Sequence, residues 1–426
     1  MRFWANSAAG SGYRGGHDYS APVLPLRSVL TMSAFDHAVW WHVYPLTACG
    51  APIREEHTSA PRLKRLEAWL DYVVELGCNG LLMGPVFAST SHGYDTVDYY
   101  RLDPRLGTDA EWDAFVDAAH SRGLRIMLDG VFNHVGAQHP LAAHPTEDNA
   151  GMVQESGWEG HEQLRELNHA DPRVADMVVD IMCHWLGKGA DAWRLDVAYA
   201  VPSEFWATVT ERVRERFPNV AFLGEVLHGD FAAIGRAGHL DAVTAYELWK
   251  GTWSSIHDVN FWELAHALER HAEFSSTMTM QTFVGNHDVN RIASQVGDAG
   301  AVLAATILFT VPGMPSVYYG DEQAFRGEKA EGFAADDPIR PPLPENPAEL
   351  AELGWWLYHL YQELIALRRR NDWLTHALLE VRDKANESIT YAVTTPEHEC
   401  LVSLHAGDHH AATVTIDGHT EFEWRG

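Results

Sequence analysis

The sequence predicts a (β/α)8, or TIM, barrel with a short insertion after its third strand and a small C-terminal β domain. Short apolar runs rich in β-branched and aromatic residues recur eight times between residues 39 and 319. Segments of helical periodicity separate them, as in repeated βα units. No glycine-rich nucleotide fingerprint marks an open doubly wound sheet instead.

Taken in order, residues 1–37 are polar and glycine-rich in their middle, with no basic start leading into an apolar run. They read as a disordered leader rather than a secretory signal, and Met32 offers a second start. The barrel is expected over 38–372, with strands at 39–46, 80–87, 124–132, 191–197, 221–226, 242–246, 278–284 and 316–319. Helices are expected at 63–76, 110–122, 172–186, 202–217, 262–274, 299–310 and 353–370. Nothing periodic appears across 133–170, which reads as an insertion over the barrel mouth, since loops of that size are usually functional. Alternating stretches at 388–393, 400–405 and 411–416 predict a β domain over 373–426. The apolar segment 299–319 is broken by Pro312, Gly313 and Pro315 and reads as a buried helix, turn and strand rather than a membrane span.

Composition narrows the partners. Lys and Arg total 31 against 59 Asp and Glu, a net charge of −28, which repels nucleic acid and anionic membranes. The four cysteines, Cys49, Cys78, Cys183 and Cys400, form no CxxC pair, which suits a reducing, cytoplasmic compartment. The 16 Trp include candidates for stacking on sugar rings, although most are expected in the core.

In such barrels chemistry sits at the carboxyl ends of strands. Strand three ends in Asp129-Gly130-Val131-Phe132-Asn133-His134, strand four in Trp193-Arg194-Leu195-Asp196, strand five in Gly224-Glu225 and strand seven in Gly285-Asn286-His287-Asp288. Asp196, Glu225 and Asp288 therefore converge from different strands. Arg194 and Asp196 are two apart and share one face of a strand, so the cation is expected to hold Asp196 ionised as a nucleophile. Glu225 closes an apolar run, a setting for a general acid. Carboxyls about 5 Å apart across a sugar give a covalent intermediate and retention. Taken singly, each of these residues is more simply a cap, a salt-bridge partner or a satisfied core polar group. A rival reading makes Asp129, His134, Asp196, Glu225, His287 and Asp288 a metal cluster, against which stand Arg194 in the same pocket and the lack of an HxH pair.

These four segments, in order, resemble the signature motifs of the α-amylase family, glycoside hydrolase family 13, over most of the chain from Trp40 to Glu322. The resemblance implies Asp196 as nucleophile, Glu225 as general acid/base and Asp288 as transition-state stabiliser, with Arg194, His134 and His287 binding sugar. His92-Gly93-Tyr94-Asp95 resembles the loop whose Tyr stacks under the reacting sugar, and 313–322 resembles the strand-eight segment. Within the family, Trp193 to Ala198 and Gly224-Glu225-Val226 followed by His228 are most similar to the neopullulanase and cyclomaltodextrinase group. That similarity implies action on α-1,4 or α-1,6 bonds of maltooligosaccharides, cyclodextrins or related soluble α-glucans, without a redox or nucleotide cofactor. A transglycosylase or isomerase of the same family, or an inactive glucan-binding scaffold, are the alternatives.

Departures accompany the resemblance. Tyr199 and Ala200 stand where many extracellular members have Lys-His, so acceptor-side preference is open. Glu166-Leu167-Asn168 replaces the usual Asp or Lys before its Leu-Asn pair. Asn133 matches a calcium-binding position of α-amylases, but no further ligands are identifiable and no metal is assigned. Members of that group usually carry a dimer-building N-terminal β domain, whereas residues 1–37 precede the first expected strand here, which leaves the oligomeric state open.

Overall fold

The computed structural model describes residues 35, 37–54, 57–332 and 334–426. The expected leader lies outside the described residues except for Phe35 and His37. The described residues form one compact unit.

Eight parallel strands close a barrel in sequence order: β1 (Trp40–Val43), β2 (Gly80–Met83), β3 (Arg125–Gly130), β4 (Ala192–Leu195), β5 (Ala221–Gly224), β6 (Ala242–Thr244), β7 (Thr279–Phe283) and β8 (Met314–Tyr318). Every run expected as a strand contributes one of them. They are buried along nearly their whole lengths, which is why their sequences read as continuous apolar runs rather than alternating ones. Two cores result. The larger lies between strands and helices. The smaller fills the barrel interior with Phe35, Ala38, Trp40, Leu82, Met127, Ala192, Ala221, Leu223, Ala242 and Met314.

Trp40 dominates that interior. A side chain at Gly80 would meet its ring at 2.5 Å, so glycine is required opposite it in the β1–β2 register. The indole Nε1 donates to Met314 Sδ at 2.9 Å, and Phe35 packs edge-on against the same ring, centroids 6.0 Å apart. Phe35, assigned by sequence to the leader, is thus part of the interior packing and 4% exposed.

The helices differ from expectation in three ways. The segment 63–76 is two helices, Leu63–Glu67 and Leu70–Leu76, interrupted so that Trp69 turns inward and stacks on Trp41, 6.2 Å away. Phe231–Ala237 and Tyr246–Asp258 were not anticipated. The first is only 7 residues long; the second starts two residues after β6, so its Tyr246 was read into the strand. The apolar helix Ile292–Thr310 starts earlier than expected and kinks at Gly297, φ 70°. It is long and apolar enough to cross a bilayer, but 67% of its most apolar window is buried within this fold.

Over the mouth, Phe87–Ser89 pairs with Thr96–Leu102 and holds Tyr94 in the intervening turn. The insertion is a three-stranded antiparallel sheet, Val153–Trp158, His161–Leu167 and His134–Gly136, with a short helix Pro140–Ala143. The C-terminal sheet is a five-stranded antiparallel meander: β9 (Leu378–Lys384), β10 (Ser388–Thr394), β11 (Glu399–His405), β12 (Ala411–Ile416) and β13 (His419–Arg425). The two edge strands were missed because their outward positions carry charge, a common guard against edge pairing. Arg368, on the helix Trp355–Arg370 that precedes this sheet, donates through its guanidinium to the carbonyls of Val311 and Gly313, each at 2.6 Å.

Candidate active site

Parallel register builds the centre of the site. Asp129 on β3 is paired with Arg194 on β4, and Arg194 in turn with Leu223 on β5, so Glu225 emerges beside it. Arg194 Nη1 lies 2.5 Å from Asp129 Oδ2 and 3.1 Å from Asp196 Oδ1, and Nη2 lies 2.6 Å from Glu225 Oε1. One buried guanidinium therefore joins three carboxyls from three strands.

Donors gather on Glu225. Val197 N donates to its Oε2 at 3.0 Å and Tyr246 Oη to its Oε1 at 3.1 Å, while Asn286 Nδ2 donates to Tyr246 Oη at 2.8 Å. Val197 holds φ at 51°, a left-handed conformation that a β-branched residue adopts only at a cost of about 1–3 kcal/mol. That strained turn aims its N–H at the glutamate.

The electrostatics depart from the sequence expectation that Arg194 keeps Asp196 ionised. Burial pushes the Asp196 carboxyl well above its ordinary range, the charge of Glu225 adds to the push, and Arg194 opposes it. Burial is the larger effect, and Arg194 opposes it while divided among three carboxyls, its 3.1 Å contact to Asp196 the longest.

Across the mouth, Tyr94 Oη donates to Asp129 Oδ2 at 2.9 Å and also meets His287 Nε2, and the two rings stack at 5.4 Å and 9°. His287 Nε2 lies 3.0 Å from Asp288 Oδ2, and Arg340 Nη2 lies 3.0 Å from Asp288 Oδ1. Burial pushes the Asp288 carboxyl up, but His287 and Arg340 outweigh it and hold it far below the usual carboxylate range. Its side chain remains 38% exposed, open to a ligand.

Six of the seven residues singled out from sequence thus form one connected network: Tyr94, Arg194, Asp196, Glu225, His287 and Asp288. His134 stands behind it. Its Nε2 meets the Tyr94 carbonyl at 3.0 Å, its ring stacks on Trp158 at 6.3 Å, and burial lowers its pKa to about 4. Sequence reasoning missed Tyr246 and Arg340, and with them His42, whose Nε2 lies 3.2 Å from His287 Nδ1, and Tyr44, whose ring stacks on that of His287 at 6.0 Å. Arg340 carried a faint signal, an acid four residues before it at Asp336, which it contacts at 3.0 Å. Tyr246 and His42 carried none, being aromatic residues at strand ends like many others.

The metal-cluster alternative meets a geometric obstacle, because Arg194 takes the central position among Asp129, Asp196 and Glu225. Nor do the residues around Asn133 fit calcium. Its carbonyl accepts from Leu167 N at 2.9 Å and its amide nitrogen faces His134 at 3.1 Å. Among the described residues no group of three or more His, Cys, Asp or Glu is placed to hold a metal ion, whereas calcium takes six to eight oxygens, carboxylates prominent among them.

Comparison with known proteins agrees with this geometry. The α-amylase catalytic-domain model matches residues 62–158 and 152–354. The intracellular maltogenic amylase of Bacillus subtilis (strain 168) is 28% identical over 368 residues, 80% of this chain and 60% of that protein. Neopullulanase 2 of Thermoactinomyces vulgaris is 30% identical over 330 residues, 71% of this chain and 54% of that protein. The chain thus spans about three-fifths of the length of the curated relatives it matches. In fold it is similar to the ligand-free cyclic α-maltosyl-(1→6)-maltose hydrolase from Arthrobacter globiformis, with a TM-score of 0.80 at 22% identity over 92% of this chain and 100% of that one. With the family model covering most of the barrel and the motif residues gathered at its mouth, the chain belongs to the α-amylase family.

Proposed function

We propose that this chain is a retaining glycoside hydrolase that cleaves α-glucosidic bonds of short soluble α-glucans, such as maltooligosaccharides or cyclodextrins, in the cytoplasm. The observation that carries the reading is the single guanidinium of Arg194 in contact with both Asp196 and Glu225. Two carboxyls that share one cation favour the separation of about 5–5.5 Å used in double displacement over the roughly 6.5–9.5 Å of direct displacement by water. Supporting the substrate class, relatives of this chain include proteins named maltogenic amylase, cyclomaltodextrinase and neopullulanase. The location draws on the relative named as intracellular.

In this mechanism Glu225 gives its proton to the leaving glucosidic oxygen as Asp196 Oδ bonds to the anomeric carbon and the C–O bond breaks. Glu225 then takes a proton from water, whose oxygen displaces Asp196 and restores the free carboxylate. The reaction therefore needs the proton on Glu225, and not on Asp196, when sugar is bound. The free site pushes Asp196 the other way, so positive charge developing on the sugar ring has to draw Asp196 to its ionised form. Asp288, ionised and open to the mouth, takes the ring hydroxyls together with His287, and Tyr94 offers its face beneath the ring.

Product analysis on maltooligosaccharides, cyclodextrins, pullulan, panose, isomaltose, sucrose and starch, beside the Glu225→Gln variant, tests the reading. Short sugars of retained anomeric configuration from the wild type alone support it. Silence from both proteins on every substrate overturns it, and products dominated by new linkages point to transglycosylation.

A further inference from the structure

The hairpin of the insertion, Val153–Trp158 and His161–Leu167, turns through two residues, Glu159 and Gly160, both left-handed at φ 48° and 82°. Trp158 and His161 pair across them. This is the type I′ arrangement, in which Asn-Gly is the favoured pair. A glutamate at the first position strains the backbone where asparagine would not. Its side chain is exposed, and among the described residues no ion pair or hydrogen bond engages the carboxylate. An unpaired charge held in a strained turn contributes nothing to the fold, which directs attention to a ligand. No part of the reaction described above uses Glu159.

The hairpin tip adjoins one side of the catalytic pair. Its Trp158 stacks on His134, whose Nε2 meets the Tyr94 carbonyl. The turn after Asp196 carries Tyr199, whose N–H donates to the Glu225 carbonyl at 3.3 Å and whose ring lies 5.1 Å from that of His228, on the turn after Glu225. Burial pushes the Tyr199 hydroxyl up to about 12, and the charges of Glu225, Glu159 and Asp196 add to the push. Glu159 thus stands close enough to Tyr199 for its charge to be felt beside the acid/base. The sugar being attacked is held by Tyr94, His287 and Asp288, which come from other loops, and Glu225 protonates the oxygen that leaves it. The departing sugar therefore lies on the side of Tyr199, His228 and Glu159.

We propose that Glu159 is a specificity-determining residue of the leaving-group side, where its carboxylate accepts hydrogen bonds from hydroxyls of the departing sugar while the Tyr199 ring offers that sugar a face. A charge that no cation neutralises also sorts what enters: neutral glucosyl units and amino sugars fit, whereas uronic acids and phosphorylated sugars are repelled. The inference rests on reading Asp196 and Glu225 as the catalytic pair of a glucosidase.

The test compares wild type, Glu159→Asn and Glu159→Gln on maltotriose and on α-maltosyl fluoride, whose leaving group is fluoride and not a sugar. Asn-Gly suits the turn, so Glu159→Asn is expected to melt at or above the wild-type temperature while its shorter amide withdraws the carboxylate. Its kcat/KM on maltotriose is expected to fall about tenfold and that on α-maltosyl fluoride to stay within about twofold, with Glu159→Gln, of full length but uncharged, in between. An equal fall on both substrates would make Glu159 a support of the turn, and no fall on either would leave it without a role; each overturns the proposal. If wild type cleaves no glucan, the functional reading falls, and calorimetric titration of maltoheptaose into the Glu225→Gln protein decides alone. Affinity weakened about tenfold by adding Glu159→Asn upholds the proposal, and unchanged or absent binding overturns it.

Discussion

Asp129 and Arg194 face each other in register on adjacent strands, and a single oxygen of Asp129 accepts from both the Arg194 guanidinium and the Tyr94 hydroxyl. The carboxylate is completely buried, so it aims the cation at Asp196 and Glu225 without reaching solvent. Asp129→Asn removes the charge while keeping the shape. It is expected to lower kcat/KM by about 10²–10³-fold, the range seen when one preorganised electrostatic group is lost. Steady-state kinetics beside a circular dichroism spectrum checks this, and near-normal turnover would reduce Asp129 to a scaffold role.

The upward push on Asp196 sets a pH dependence. The free enzyme needs this carboxyl ionised, and its folded pKa is raised, so activity is lost as pH falls through that raised value. The acid limb of kcat/KM is expected above the ordinary aspartate range of about 4, and removing the opposing cation in Arg194→Leu should move it higher still. An acid limb at or below the ordinary value would contradict the charge distribution described for the free site.

Tyr246 offers a smaller, separable effect. Tyr246→Phe deletes the 3.1 Å hydrogen bond to Glu225 and leaves Asn286 without its hydroxyl partner. A loss of about 1 kcal/mol, or roughly fivefold in kcat, is expected. Binding of maltotriose to the Glu225→Gln protein should not change when Tyr246→Phe is added, because the hydroxyl acts on the acid/base group; a large loss of affinity there would place it against the sugar instead.

Stability should decline in mild acid through His271, buried on the helix Phe261–Ser275, whose Nε2 meets Pro312 O at 2.7 Å. Burial lowers its pKa to about 4. The unfolded chain binds the proton from about pH 6.5 downward while the folded one resists, so the stabilisation is intact above pH 6.5 and is lost as pH falls toward 4. The difference amounts to about 3 kcal/mol at the low end. His271→Gln can donate the same bond without titrating, and its melting temperature is expected to fall less between pH 7 and pH 4.5 than that of the wild type.

Phe35→Ala tests the floor of the barrel. Removing a ring that is 4% exposed and packed on Trp40 is expected to cost about 3 kcal/mol, read as a lower urea midpoint at unchanged slope. An unaltered midpoint would mean that the segment before β1 is not part of the interior packing in solution.

Much of this architecture was legible beforehand, because a strand buried on both sides must be apolar throughout and a polar residue at its end is then conspicuous. Asp129, Asp196, Glu225 and Asp288 were visible for that reason. Tyr246 and His42 were not, since their contacts come from which atoms meet across the barrel, as with His42 and His287, 245 residues apart. Helix Tyr246–Asp258 was hidden by tight spacing, with a single residue, Ala245, between it and β6. The edge strands β9 and β13 were hidden by their charges. The upward push on Asp196 escaped a local reading because burial and the charge of Glu225 outweigh the neighbouring arginine.

The closing seam of the barrel has a consequence for biogenesis. Strand β1 pairs with β8, and the contact between Trp40 and Met314 spans 274 residues. At translation rates of about 5–20 residues per second, β1 leaves the ribosome roughly 15 to 55 seconds before its second neighbour exists. Throughout that interval a strand bearing Trp40 and Trp41 has one edge unpaired and its tryptophans unsheltered. Nascent chains of this protein should therefore be clients of trigger-factor-type holdases, and slow-codon stretches placed upstream of β8 should lower the soluble yield more than the same stretches placed in the C-terminal sheet.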